Sequence, residues 1–149
     1  MSTPRPAPDR RAAYRHFLPI STRWADNDQY GHLNNVVHYQ YFDTVVNRYL
    51  IEAGVLDVAG GEAIGLVVES ACRYFAPVGF PDTVHAGLRV AHVGTSSVRY
   101  EIGLFANDDA IAAAQGHFVH VYVDRLARRP VPLPAPLRSA LEPLRVGAT

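Results

Sequence analysis

The sequence predicts an α+β domain in which one long helix packs against an antiparallel sheet. Residues 36 to 53 place apolar side chains at helical spacing, and four later segments alternate in polarity with the period of two that is typical of strands. Short turns separate these segments, so consecutive strands are expected to pair antiparallel. The apolar side of the helix should then cover one face of the sheet.

A first strand is predicted over residues 16 to 24, and a polar loop that contains glycine follows over residues 25 to 34. The helix starts next, because Asn34 or Asn35 supplies an N-cap, and Gly54 suits its end. Its core-facing side is expected to comprise Val36, Tyr39, Phe42, Val46, Tyr49, Leu50 and Ala53.

The four later strands are predicted over residues 65–76, 84–93, 96–105 and 111–123. The proline-rich tail from 130 to 143 is expected to end regular pairing, because proline cannot donate to a sheet ladder. An open sheet of this kind leaves edge strands and one face uncovered. Pairing with an identical subunit, as a homodimer or homotetramer, is therefore expected.

Length and composition predict one domain over residues 16–149, since 149 residues with 48% hydrophobic composition suit a single core. Residues 1–15 contain several prolines and arginines and lack the apolar segment of a secretory signal. We expect them to form a disordered leader. The single Cys72 and the lack of a long apolar run favour a cytoplasmic protein.

Charge and motifs exclude several classes of function. The 14 basic and 14 acidic residues balance, so no nucleic-acid or membrane partner is predicted. Every basic residue is arginine, which excludes a lysine Schiff base on this chain. The GxGxxG, GxxxxGK[ST] and GxSxG motifs are missing, which argues against nucleotide hydrolysis and serine-triad chemistry. The histidine spacings do not suit a metal site, and no cofactor is predicted.

The densest polar cluster spans residues 23 to 35, between the first strand and the helix. A helix N-terminus presents unpaired N–H groups that can polarise a carbonyl oxygen, and a carboxylate on the preceding loop can act as base or nucleophile. If Asp26 and Asp28 converged, repulsion would raise the pKa of one of them. Alternatively, these residues form only a turn, and Asn34 caps the helix.

The stretch Asp26-Asn27-Asp28-Gln29-Tyr30-Gly31-His32-Leu33-Asn34-Asn35 resembles the DxDxxGHxNN signature of the 4-hydroxybenzoyl-CoA thioesterase-like family. The resemblance extends over roughly residues 16 to 136 and includes Arg23-Trp24, residues 74 to 82 and Val123-Asp124-Arg125. It implies a hot-dog fold, in which a five- to six-stranded antiparallel sheet wraps a long central helix. It also implies an acyl-CoA thioesterase, which converts an acyl thioester to a free carboxylic acid and a thiol.

The same resemblance assigns roles to residues of this chain. Asp28 matches the family's catalytic carboxylate, as nucleophile or as general base, and Asp26 becomes a supporting residue. The backbone N–H near Asn35 would polarise the thioester carbonyl, while His32 and Asn34 shape the loop. The residues expected to act in catalysis are thus Asp28, Asn35 and His32, and those expected to bind substrate are Asn34, His38, Tyr39, Val68 and Ser70.

Three alternatives stay open. Some relatives hold coenzyme A phosphates with basic residues at the turn from His92 to Ser97, and this turn has no Arg or Lys, so an acyl-carrier-protein thioester is an alternative substrate. A non-catalytic module that binds acyl thioesters is another, because a fold does not determine a function. A dehydratase or hydratase of the same fold would need a histidine and a carboxylate placed across the dimer, which no motif here specifies.

Overall fold

The computed structural model describes residues 6–57 and 59–147. Its elements are β1 (His16–Ser21), α1 (Asn35–Glu52), β2 (Ala63–Tyr74), β3 (Thr83–Val93), β4 (Ser97–Ala106), β5 (Ala114–Asp124) and α2 (Ala135–Leu141). The strands of this part of the chain form one antiparallel five-stranded sheet in the order β1-β3-β4-β5-β2. The predicted α+β arrangement is confirmed.

The helix α1 is 18 residues long, and the Asn34 side chain caps it by accepting a hydrogen bond from the Val36 N–H. The predicted core-facing side was only partly right, because Val36 is 59% exposed. Adjacent apolar pairs such as Val36-Val37 and Val45-Val46 allow two helix faces, and contact with the sheet selects one of them. The buried residues of the helix are Val37, His38, Tyr41, Phe42, Val45, Val46 and Leu50.

The sheet buries one face under α1 and carries charge on the other. The apolar sets predicted for β3 and β4 are confirmed as core: Val84, Ala86, Leu88, Val90, Val98, Tyr100, Ile102 and Leu104. On the opposite face, Glu101 pairs with Arg89 at 2.8 Å and with Arg99 at 3.0 Å. The pair with Arg89 links β4 to the neighbouring strand β3, whereas Arg99 lies two residues from Glu101 on β4 itself.

The strand β2 forms one edge of the sheet, where β5 is its one partner among residues 6–57 and 59–147, and it carries a bulge between Val67 and Glu69. Its apolar residues are unusually accessible, since Val67 is 50% and Val68 is 60% exposed. A long apolar edge of this kind is a surface on which another strand can pair.

One expectation for the chain ends needs correction. Residues 9 to 15 are not a disordered leader, because Arg11–Ala13 form a 3-10 turn and Tyr14, 6% exposed, packs against Phe105. Residues 1–5 of the predicted leader lie outside the described residues. The tail ends regular pairing as expected, since no strand follows β5 in the described residues. It also forms the helix α2, which was not identified from the sequence; proline is compatible with a first helical turn.

The described helices include none that is long and apolar enough to span a membrane.

Candidate active site

The loop before α1 folds back on itself and holds Asp28 in place. The Asp28 N–H donates to the His32 carbonyl at 2.7 Å, and Gly31 adopts a φ of +80°, which favours glycine. The Asp28 Oδ1 atom accepts from the backbone N–H of Tyr30 at 2.8 Å and of His32 at 3.4 Å. The half-buried carboxylate therefore has a defined orientation.

A second loop, between β2 and β3, is hydrogen-bonded to the first. The Leu33 N–H donates to the Val78 carbonyl at 2.7 Å, and the Phe80 N–H donates to the Asn27 side chain at 3.0 Å. A side chain at Gly79 would place its Cβ 2.6 Å from the Gly31 carbonyl oxygen, so only glycine allows this approach. The two loops thus position Asp28 relative to α1.

Asp26 anchors the same loop from inside the protein. Its carboxylate is 2% exposed and accepts from the Arg23 guanidinium at 2.8 Å, the Arg23 N–H at 2.9 Å and the Tyr41 hydroxyl at 2.9 Å. Burial opposes ionisation of Asp26, but these hydrogen bonds outweigh it and lower the pKa of the carboxyl. Asp26 therefore supports the loop, and the two aspartates do not form the repulsive pair considered from the sequence.

A cleft of about 520 Å³ opens at the N-terminus of α1. Asp28, His32 and Asn35, the residues expected to act in catalysis, line it together with His38. The opposite wall is the segment from Tyr74 to Val78. The structure thus brings the whole predicted catalytic set to one cleft, and Asn34 lies beside it as the helix cap.

The start of α1 leaves a hydrogen-bond donor available in this cleft. The Asn34 side chain accepts a hydrogen bond from the Val36 N–H at 3.0 Å, whereas the Asn35 N–H has no acceptor among residues 6–57 and 59–147. A free N–H at the positive end of a helix dipole stabilises negative charge on an oxygen atom. Asp28 and this N–H can therefore act on one carbonyl group, the first as base or nucleophile and the second as oxyanion donor.

His38 contributes a neutral imidazole to the cleft wall. Its side chain is 6% exposed, its Nδ1 lies 3.4 Å from the Asn34 carbonyl oxygen, and its ring meets the Tyr74 ring edge-on at 4.8 Å. A carbonyl oxygen only accepts, so Nδ1 is the donor and Nε2 remains an acceptor. Burial lowers the pKa of His38, which favours this neutral form.

Three residues expected to bind substrate do not line this cleft in a single chain. Tyr39 stacks on Phe118, with ring centroids 6.3 Å apart, and Val68 and Ser70 lie on the exposed edge strand β2. Sequence reasoning did not assign a site role to residues 74 to 78, because their position opposite α1 depends on contacts between distant segments. Within the described residues, no three His, Cys, Asp or Glu side chains lie close enough to hold a metal ion.

A family model described as the thioesterase-like superfamily matches residues 22–141, which include the cleft and most of the sheet. The chain belongs to this superfamily. Membership confirms the predicted hot-dog fold and the predicted class of enzyme, the thioester hydrolases. Asp28 and Asn35 thus line a cleft in a thioesterase-like fold.

Two solved structures share this fold, and one further protein is similar in sequence. The PA5185 protein of Pseudomonas aeruginosa PAO1 is 58% identical, with a TM-score of 0.92 over 97% of this chain and 100% of that chain. A thioesterase of Thermus thermophilus, solved with coenzyme A and zinc, is 30% identical, with a TM-score of 0.73 over 88% of this chain and 95% of that chain. The uncharacterized Bacillus subtilis protein YsmA is 24% identical over 93 residues, and the match spans 63% of its length.

Proposed function

We propose that the protein is an acyl-CoA thioesterase with Asp28 as its catalytic carboxylate. The proposal rests on one observation: Asp28 and the Asn35 N–H, which has no acceptor in the described part of the chain, line the same cleft at the start of α1. Membership in the thioesterase-like superfamily supports it. So does the coenzyme A bound by the related Thermus thioesterase. The expected cytoplasmic location stays a prediction.

In the proposed reaction the thioester carbonyl oxygen accepts a hydrogen bond from Asn35 N–H, which stabilises the charge that develops during attack. Asp28 acts by one of two routes. It attacks the carbonyl carbon, expels the thiolate and forms a mixed anhydride that water hydrolyses, or it takes a proton from a water molecule that attacks directly. Both routes end in a free carboxylic acid and a thiol.

The choice between coenzyme A and a carrier protein depends partly on the turn between β3 and β4. The sequence places no Arg or Lys there, but the Arg138 guanidinium of α2 donates to the Gly94 carbonyl at 2.9 Å. Folding thus brings a cation to the turn, where it could contact a phosphate. This contact supports coenzyme A as the donor, and a carrier-protein thioester stays the alternative substrate.

Free-thiol release from matched acyl-CoA and acyl-carrier-protein substrates tests this proposal. The panel should contain short, long and aromatic acyl groups. We expect higher kcat/KM values on the CoA thioesters for the preferred acyl group. Faster hydrolysis of the carrier-protein thioesters would support the other donor, and binding without turnover of any thioester would support a non-catalytic module.

We infer that two copies of the chain pair along their β2 edges. The apolar exposure of Val67 and Val68 supports this arrangement, since an edge of this kind is open to a second strand. It also explains why Val68 and Ser70, expected to contact substrate, lie outside the cleft of their own chain. Pairing would bring them to the site of the second copy.

Val68→Arg is expected to convert the dimer to a monomer, because a charged side chain on the edge opposes strand pairing. If both copies build the site, thioester hydrolysis should fall by about 10²-fold, as expected when catalytic geometry is disturbed. Sedimentation velocity and thiol release measure the two effects. Leu126→Arg is the matched control, since Leu126 is 91% exposed in a turn outside the sheet. A monomeric Val68→Arg variant with full activity would contradict the shared site.

A further inference from the structure

The imidazole of His38 lies at the reacting end of α1 and has no role in the chemistry proposed above. His38 follows Asn35 by three positions, which is less than one helical turn, and it lines the same cleft as Asp28. Helical side chains lean back toward the helix N-terminus, and the His38 Nδ1 accordingly lies 3.4 Å from the Asn34 carbonyl oxygen. The ring therefore lies beside the N–H group that is expected to hold the thioester carbonyl oxygen.

One nitrogen atom of this ring is unpaired and accessible. The His38 Nδ1 donates to Asn34, whereas its Nε2 makes no hydrogen bond within residues 6–57 and 59–147. Among the side-chain nitrogen and oxygen atoms of these residues, the His120 Nε2 alone is both fully buried and without a partner. The unpaired His38 Nε2 therefore keeps accessible surface, and the cleft that His38 lines provides it.

The His38 ring is also neutral and fixed in orientation, as a proton acceptor must be. Burial lowers the pKa of His38, while hydrogen bonds to the backbone carbonyls of Asn34 and Asn35 act in the opposite direction. A neutral imidazole that carries its proton on Nδ1 offers Nε2 as an acceptor. The edge-on contact with Tyr74 at 4.8 Å and the bond to Asn34 hold the ring in place.

The two oxygen atoms of the Asp28 carboxylate have different surroundings. Oδ1 accepts from the N–H groups of Tyr30 at 2.8 Å and His32 at 3.4 Å, whereas Oδ2 accepts no hydrogen bond from residues 6–57 and 59–147. Oδ2 is therefore the more available nucleophile. Once Oδ2 has bonded to an acyl carbon, Oδ1 is the carbonyl oxygen of the resulting anhydride, and two N–H groups already point at it. Such donors stabilise the charge that develops when water attacks the Asp28 carboxyl carbon.

An anhydride on Asp28 needs a second group as base, because a carboxylate that is bonded to the acyl group cannot take a proton from water. Of the described residues, the titratable ones that line the cleft are Asp28, His32, His38 and Tyr74. Burial raises the pKa of Tyr74, so its hydroxyl keeps its proton near neutral pH. His32 is exposed, and its ring makes no hydrogen bond to the described part of the chain. His38 thus remains as the acceptor with a fixed position.

We propose that His38 is the base of the second step, the hydrolysis of a mixed anhydride formed on Asp28. This inference rests on the proposed thioesterase and selects the first of its two routes, in which the expelled thiolate takes a proton from solvent. A water molecule passes one proton to the His38 Nε2 while its oxygen bonds to the Asp28 carboxyl carbon. The bond from that carbon to the bridging oxygen breaks, so the acyl group leaves as a carboxylate. His38 and the Asp28 carboxyl group then each release a proton to solvent, which restores the starting state.

Rapid quenching of a reaction with excess substrate separates the two steps. The substrate is the thioester that wild type hydrolyses fastest in the panel of acyl-CoA and carrier-protein thioesters, and the free thiol is measured from the first turnover onward. His38→Gln should release a single thiol per site at the wild-type rate, because attack by Asp28 does not need the imidazole. Its steady-state hydrolysis should then be about 10²–10⁴-fold slower than that of wild type.

His85→Gln is the matched control, because His85 lies on β3 on the same face as Arg89, away from α1. This variant should keep the wild-type rates of both steps, and both glutamine variants should melt at the wild-type temperature. A second variant, His38→Ala, removes the ring altogether. Added imidazole should raise its steady-state rate without changing the release of the first thiol.

Four results would overturn the inference: a first release slowed as much as the steady state in His38→Gln, an unchanged steady-state rate, a burst of thiol in His32→Gln instead of His38→Gln, or no effect of imidazole on His38→Ala. Hydrolysis that is lost in Asp28→Asn and fully retained in His38→Gln would refute this role of His38 and leave the proposed function intact. A wild-type protein that releases no thiol from any thioester would refute the proposed function as well.

Discussion

Asp28→Asn is expected to lower thioester hydrolysis by about 10²–10⁴-fold, the usual contribution of a positioned acid or base. The amide keeps the size of the side chain, and its oxygen can still accept from the N–H groups of Tyr30 and His32. It can neither attack a carbonyl carbon nor take a proton from water. The kcat and KM values for the preferred acyl-CoA, followed by free-thiol release, measure the loss.

The matched control is Asp108→Asn, the same change at an exposed turn residue. Its activity should equal that of wild type, and both variants should melt at the wild-type temperature. Unchanged turnover in Asp28→Asn would mean that another group performs the chemistry. A single turnover in heavy-oxygen water extends the test, because label found in the Asp28 carboxyl would identify the mixed-anhydride route.

Asp26→Ala is expected to reduce the free energy of unfolding by about 3 kcal/mol, since hydrogen bonds to a buried charged group contribute about 1.5–3 kcal/mol each. The change removes the acceptor of the Arg23 N–H and of the Tyr41 hydroxyl. Tyr41→Phe deletes only the second contact and should cost about half as much. Urea denaturation near neutral pH measures both variants. A loss below that of Tyr41→Phe would show that Asp26 does not anchor the loop.

The contribution of Asp26 should also depend on pH. Its pKa is lowered in the folded protein, so the stabilisation is present above the unfolded-state value of 3.8 and is lost as pH falls through the folded-state value. The difference in unfolding free energy between wild type and Asp26→Asn should therefore shrink in strongly acidic solution. Denaturation curves at neutral and acidic pH test this, and a constant difference would show that the charge of Asp26 contributes little.

Local patterns explain why much of this protein could be predicted from its sequence. Alternation identified β3 and β4 and their buried residues, and Asn34 marked the start of α1 because capping involves only neighbouring residues. The motif from Asp26 to Asn35 indicated the family and the site for the same reason. Each of these features is a property of a short segment.

Local patterns were insufficient where two structural interpretations of the same segment satisfied them equally. Helical spacing allowed Val36 or Val37 to face the core, and only contact with the sheet buried Val37. The prolines of the tail suggested a break, yet Leu137 and Leu141 bury their side chains and stabilise α2. Packing against distant residues decided both cases.

The sequence by itself determined the fold class, the family motif and the identity of the candidate carboxylate, because these depend on residue type and spacing. Only the tertiary structure showed that Asp26 faces inward while Asp28 faces the cleft, and that residues 74 to 78 form the opposite wall. It also showed that His120 is buried without a hydrogen-bond partner in the described chain. These properties arise from contacts between segments far apart in sequence, and no local pattern specifies them.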